Sequence, residues 1–237
     1  GDNLQYLQQY FRSAQWWGNP ARGKVPLAWS LSPSAAELIP DVVEDLMATK
    51  TDNDEFVCST AGTGLMTPAL YGRDLYANHS ALYSEYLKLT GLGMNASGLR
   101  AAHLGDTSGV PWTRADFDEW AKAIPAMDGI LGDYGPARGV FSSDAALFTS
   151  TGTPVVRAVV APGHGAPDEN SAKEFADAVR SATPAARPSF VHVCLINWFN
   201  SPQVVADAVR LLGPDYEPVL PSRLFDLLRA SRTKGSR

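Results

Sequence analysis

The chain has 237 residues, 45% of them hydrophobic, 19% charged and 10% aromatic, with a formal net charge of −5. This is enough apolar material for one large core, which excludes a disordered chain, and two cysteines (Cys58 and Cys194) are too few for a disulfide-held miniprotein. The acidic balance argues against a nucleic-acid partner, and no apolar run reaches the roughly 18 residues of a membrane span. In chain order, residues 4–17 read as an aromatic-rich helix, and apolar strand-like runs follow at 25–31 and 55–59. A second aromatic-rich helix at 75–89 precedes runs at 98–104, 129–134 and 154–160. Ala172, Phe175, Ala176 and Val179 then mark one helix face. The run at 189–198 is the clearest strand, being nearly continuous from Phe190 to Ile196 as in strands buried on both faces. Val204, Val205, Ala208, Leu211 and Leu212 form a further helix face, and a last run lies at 216–220.

The punctuation between these elements agrees with their periods. Ser171 is placed to cap one helix through Glu174, Ser201-Pro202 opens the next, and Gly213-Pro214 closes it. Strand and helix alternating in this way predict a parallel α/β architecture with right-handed crossovers. The alternation opens on a helix at Leu4, so a first strand is expected upstream of or at the N-terminus. The expected fold is therefore a parallel (β/α) barrel, TIM-like, of seven or eight strands. It would form one domain over residues 1–232, followed by a tail at 233–237. The abrupt start at Gly1-Asp2-Asn3 reads as a piece of a longer protein.

In parallel α/β folds the reactive groups gather beyond the carboxyl ends of the strands. The residues expected there mix carboxylates, amides, histidines and tryptophans, which suits a carbohydrate. Trp29, Trp112 and Trp198 are candidates to stack on sugar rings, and Asn3, His103, His164 and Asn197 to bond hydroxyls. Asp2, Asp106, Asp133 and Glu169 form the pool for an acid and a base or nucleophile, since glycoside hydrolysis needs two carboxylates. Three of them have an alternative role: Asp2 as a helix cap, Asp106 as a turn residue, and Glu169, with Asp168, as a charge favoured by a helix dipole. Asp133 directly follows an apolar strand and has less structural reason to be there. His192, inside a strand, reads as a core histidine, Trp16 and Trp17 as helix packing, and the two cysteines as small buried thiols.

Other chemistries find less support. Gly62-Thr63-Gly64-Leu65-Met66-Thr67 lacks the third glycine of a dinucleotide fingerprint and no P-loop lysine follows, so no cofactor is expected. There is no GxSxG elbow. His79, His103, His164 and His192 are scattered singly, so no metal ligand is assigned, and a metal would have to be assembled from several loops.

Gly62-Thr63-Gly64-Leu65-Met66-Thr67-Pro68 resembles the signature of the GxGYxYP putative glycoside hydrolase family, in its C-terminal domain. Gly1-Asp2-Asn3-Leu4-Gln5 resembles that family's Asp-Gly-Asp-Asn segment, and Val25 to Pro33 followed by Leu38-Ile39-Pro40 resembles its Pro-x-x-Trp-x-x-x-Pro stretch. Asn53-Asp54-Glu55-Phe56-Val57 leads into the glycine motif as in the family, and looser likeness continues through 152–156 and 190–228. Both motif tyrosines are replaced, by Leu65 and Thr67, while Gly62, Gly64 and Pro68 remain. With Thr63, the glycines are expected to turn the backbone tightly against a ligand. The resemblance implies a barrel-like domain that hydrolyses a polysaccharide or oligosaccharide, packs on an upstream domain and works outside the cell or at its surface. A non-catalytic carbohydrate-binding domain is the first alternative. The second is a metal-dependent polysaccharide deacetylase, which would need histidines converging with a strand-end aspartate.

Overall fold

Period-two alternation organises the sheet. The computed structural model describes residues 4–60, 62–64, 70–71, 76–104, 112–132, 146–162 and 170–235. Strands β1 (Leu27–Leu31), β2 (Asp54–Cys58), β3 (Ala101–Leu104) and β4 (Gly129–Gly132) pair in parallel in that order. Strand β5 (Ala146–Phe148) pairs antiparallel with β6 (Pro154–Val156), which lies parallel beside β4. A second sheet pairs β7 (Ala158–Val160) parallel with β8 (His192–Cys194). Among the described residues the fold is thus mixed α/β, with a mostly parallel six-stranded sheet and eight helices. The helices are α1 (Leu4–Gln9), α2 (Ala35–Leu38), α3 (Pro40–Thr49), α4 (His79–Ala96), α5 (Arg114–Ala123), α6 (Ser171–Ala182), α7 (Pro202–Leu212) and α8 (Pro221–Gly235). None of the described helices is long and apolar enough to cross a membrane.

Alternate strand residues feed two separate apolar clusters. Trp29, Leu31, Phe56, Cys58, Leu104, Ile130 and Val155 join the larger one, with side chains from α3 to α7 such as Leu46, Leu87, Phe117, Phe175 and Val205. Their neighbours Val57, Ala101, Leu131 and Val156 join the smaller one, against Leu224, Phe225 and Leu228 of α8. Each large apolar side chain so buried contributes about 1.5–3 kcal/mol. Gly129 lets α8 come this close, because a Cβ there would lie 2.4 Å from the Phe225 ring.

Several predicted elements are shorter than their sequence pattern. The helix expected over 4–17 ends at Gln9, and turns carry the chain on to β1. There backbone turn bonds such as Ser13 N–H to the Tyr10 carbonyl take over from the helical ladder, and Asn19 adds side-chain bonds, donating to the Ala14 carbonyl at 2.8 Å and accepting from the Ala21 amide at 2.9 Å. Trp16 and Trp17 are buried as expected. The run at 154–160 is present but breaks at Arg157, where the chain passes from one sheet to the other. The run at 189–198 pairs only over His192–Cys194. The run at 216–220 forms no strand; Pro218 has no N–H to give a ladder and Pro221 starts α8. Ser201 caps α7 by accepting from the Val204 amide at 3.3 Å, and Gly213, at φ +80°, ends it. At α6 the cap position belongs to Asn170 instead of Ser171, with no side-chain cap bond.

Candidate functional site

A cavity of about 1190 Å³ lies along β1 and β8. Polar residues at alternate strand positions, or just past the strand ends, face it: Ser30, Ser59, Thr60, His103, His192 and Cys194. Parallel pairing sets His103 opposite Leu131 and places Cys194 at the last register position of β8. Side chains from three strands and one strand end thereby meet. His103 Nδ1 lies 3.3 Å from Thr60 Oγ1 and 3.5 Å from Ser30 Oγ, and its Nε2 lies 3.7 Å from Cys194 Sγ. The His192 ring stands edge-on to His103, with centroids 6.2 Å apart. Burial pushes His192 down to about 3, with a further push from His103 and an opposing hydrogen bond to the Gly132 carbonyl. His192 is therefore neutral at physiological pH. Both cysteines are buried thiols, but Cys194 meets an imidazole while Cys58 has its thiol pushed up by burial.

The rim of the cavity carries an aromatic group. Trp198 is 58% exposed and packs edge-on to Tyr6 (5.2 Å) and Trp16 (5.3 Å). Trp16 Nε1 donates to the Asn197 carbonyl at 2.7 Å, fixing the turn that presents Trp198. Burial pushes the Tyr6 phenol up, opposed by a hydrogen bond with the Asn197 side chain. His103, Asn197 and Trp198 thus line one cavity.

Two of the expected sugar platforms are buried, although Trp29 also lines this cavity. Trp29 is 6% exposed, with its ring against Phe11 and Trp17 and its Nε1 donating to Asp54 Oδ1 at 2.8 Å. Its position alternates with Ser30, which turns it towards the helices. Trp112 is 2% exposed and stacked on Phe117, centroids 5.6 Å apart. Both indoles thus pack against protein rings. The described part of the glycine loop is fastened to α4. A Cβ on Gly62 (φ +102°) would lie 2.6 Å from Thr90 Oγ1, the Thr63 amide donates to that hydroxyl at 3.3 Å, and the Gly64 amide donates to the Tyr86 hydroxyl at 3.1 Å. Close helix contact accounts for Gly62, whereas Gly64 borders open space.

Asp2, Asn3, Asp106, Asp133, His164 and Glu169 lie outside the described residues. Among the described residues, no group of three His, Cys, Asp or Glu side chains is arranged to hold a metal ion. Sequence reasoning does not single out Ser30, Ser59, Thr60, Cys194 or Asn200 for the site, and it reads His192 as core. For Ser30, His192 and Cys194 the available signal is a polar side chain on a short, otherwise apolar strand.

The family description "GxGYxYP putative glycoside hydrolase C-terminal domain" matches residues 1–229. Among curated proteins, none matches the chain. Among solved structures, the fold is similar to that of a putative hydrolase from Bacteroides thetaiotaomicron VPI-5482, with a TM-score of 0.72 at 18% identity. The likeness covers 97% of this chain and 43% of that one, so the chain spans under half of its neighbour's length.

Proposed function

The chain belongs to the GxGYxYP putative glycoside hydrolase family, as its C-terminal domain, and from that premise we propose that it hydrolyses a polysaccharide or oligosaccharide in the cavity along β1 and β8. The carrying observation is the meeting of Ser30, Thr60, His103, His192 and Cys194 at this cavity, beside the exposed Trp198. An open indole beside hydroxyls and imidazoles suits a sugar ring, whose faces are apolar and whose edge is polar. The neighbour's description as a hydrolase agrees with this reading. The acid and the base or nucleophile come from Asp2, Asp106, Asp133 and Glu169. Asp133 directly follows β4, the strand whose Gly132 carbonyl bonds His192.

The parallel strands support a TIM-like (β/α) barrel of seven or eight strands. β6 and β7 flank the single residue Arg157, which carries the row of strands from one sheet into the other. The two outermost parallel members, β1 and β8, border the same cavity. A polymer substrate fits action outside the cell or at its surface.

The test is release of reducing ends from a polysaccharide panel. Asp133→Asn is expected to lower turnover about 10²–10⁴-fold, the span of general acid–base catalysis, with unchanged thermal unfolding. Unchanged turnover would remove Asp133 from the mechanism. A carboxyl pair about 5–5.5 Å apart would give retention of anomeric configuration, and about 6.5–9.5 Å inversion. Binding without product from any glycan would favour a non-catalytic carbohydrate-binding domain.

A further inference from the structure

Native proteins leave few buried polar atoms without a hydrogen-bond partner, because each costs the desolvation of an unpaired group. Here three such atoms belong to residues that line one cavity. Ser59 Oγ, His192 Nε2 and Asn200 Oδ1 are buried and unpartnered among the described residues, and all three residues line the cavity along β1 and β8. Ser59 is 1% exposed and Asn200 4%. They come from different elements: Ser59 follows β2, His192 opens β8, and Asn200 stands just ahead of α7. Neither local sequence nor one loop geometry explains why all three line the same cavity.

Their chemistry is one-sided. The Asn200 amide nitrogen already donates to the Ile196 carbonyl at 3.4 Å, leaving the oxygen as an acceptor. His192 is hydrogen-bonded to the Gly132 carbonyl, a bond only an N–H can make, and the neutral ring has one N–H. Its unpartnered Nε2 therefore offers a lone pair. The Ser59 hydroxyl both donates and accepts. Among the described residues, the charged groups lining the same cavity are one cation, Arg187, and two anions, Asp215 and Glu217. Arg187 is turned to the Pro184 and Ala186 carbonyls. A ligand satisfying this wall must bring hydrogen-bond donors and no negative charge.

We propose that Ser59, His192 and Asn200 form a hydrogen-bond-accepting subsite that takes the hydroxyl groups of an uncharged sugar and rejects acidic sugars. This rests on the carbohydrate reading above and adds to it the substrate class and the residues that select it. A sugar hydroxyl donates its proton to His192 Nε2 or Asn200 Oδ1, and Ser59 closes the set as either partner. The carboxylate of a uronic acid has no proton to give and would face two lone pairs in a site shielded from water.

The test is calorimetric titration of the whole chain with xylo-, cello- and manno-oligosaccharides and, separately, with oligogalacturonate. Binding of at least one neutral series, about tenfold or more tighter than oligogalacturonate, is expected. Ser59→Ala and His192→Leu should each weaken that binding about threefold to tenfold, the worth of one neutral hydrogen bond. His192→Gln keeps an acceptor near the Nε2 position and should retain most of the affinity. It also stands in if His192→Leu fails to fold. Saturating the wild-type chain should move the 15N resonance of His192 Nε2. Equal or tighter binding of oligogalacturonate would overturn the proposed selection. Neutral binding that neither Ser59→Ala nor His192→Leu nor His192→Gln alters would overturn the subsite while leaving a carbohydrate cavity standing. If the wild-type chain binds none of these glycans, the carbohydrate reading falls and the subsite with it.

Discussion

His192 ties the chemistry of the cavity to the stability of the chain. In the unfolded state an imidazole takes its proton near 6.5, whereas burial and the neighbouring His103 hold this one down to about 3. Above 6.5 both states are neutral and the group contributes no pH dependence. As pH falls from 6.5 towards 3 the unfolded chain binds a proton that the folded chain refuses, so stability is lost, at up to about 1.4 kcal/mol per pH unit. Asp128 is held below the usual carboxylate range by Arg100, so its contribution is present above that range and is lost only at lower pH. Urea unfolding between pH 7 and 4.5 should show the His192 slope, and His192→Gln should flatten it. A slope unchanged in that variant would assign the effect to another group. Legibility at this scale is uneven. His103 and Trp198 are readable because imidazole and indole are distinctive at strand ends. Ser59 and Asn200 are not, since small polar side chains are ordinary in loops and only three-dimensional burial makes them costly. Trp29 misleads when it is taken as a loop residue. Counted along β1 it shares a face with Leu27 and Leu31, both of which are core.

The elements show where a one-dimensional pattern suffices. Six of the seven predicted strand runs contain paired strand, because β-branched and aromatic runs bounded by turns have few other stable uses. The exception, 216–220, is apolar enough but interrupted by Pro218, and β5 escapes detection because three residues carry too little alternation to see. Helix α8 marks a second limit: its apolar residues do not say which face of the sheet receives them. That choice is written in Gly129, a position on β4 where a side chain would strike Phe225. Gly129→Ala should destabilise by about 1–3 kcal/mol through overpacking, and Phe225→Ala by about 3–5 kcal/mol through the cavity it leaves. Combining the two should cost less than their sum, because the methyl group added at position 129 would enter space that the lost ring vacates. Additive losses in denaturant titrations would show that α8 does not pack on β4 in this way.

At the scale of the whole molecule, the sheet strands are shared between two cores. Trp29 and Phe56 face the helices α3 to α7, while Val57 on the same strand as Phe56 faces α8, so neither cluster can dissolve without exposing strand residues of the other. The Arg22–Asp54 pair adds a tie at the strand entrance. Asp54, with a fully buried side chain, accepts from Arg22 at 2.5 Å, from Trp29 Nε1 at 2.8 Å and from the Thr51 amide and hydroxyl at 2.8 Å each. Removing that carboxylate strands a guanidinium that is itself only 15% exposed, so Asp54→Ala should cost about 3–5 kcal/mol. The larger consequence concerns cooperativity. If residues 1–232 are one domain, a lesion on either face must destabilise both. The buried tryptophans Trp16, Trp17, Trp29, Trp112 and Trp120 all belong to the larger cluster, so their fluorescence reports that side alone, whereas far-ultraviolet circular dichroism reports every helix, α8 included. Asp54→Ala acts on the tryptophan side and Phe225→Ala on the opposite side. In a single cooperative unit both probes shift to the same midpoint in each variant. Should Phe225→Ala move the dichroism transition while leaving tryptophan fluorescence at the wild-type midpoint, α8 and its face of the sheet would be a separately unfolding unit, and the one-domain reading would fail.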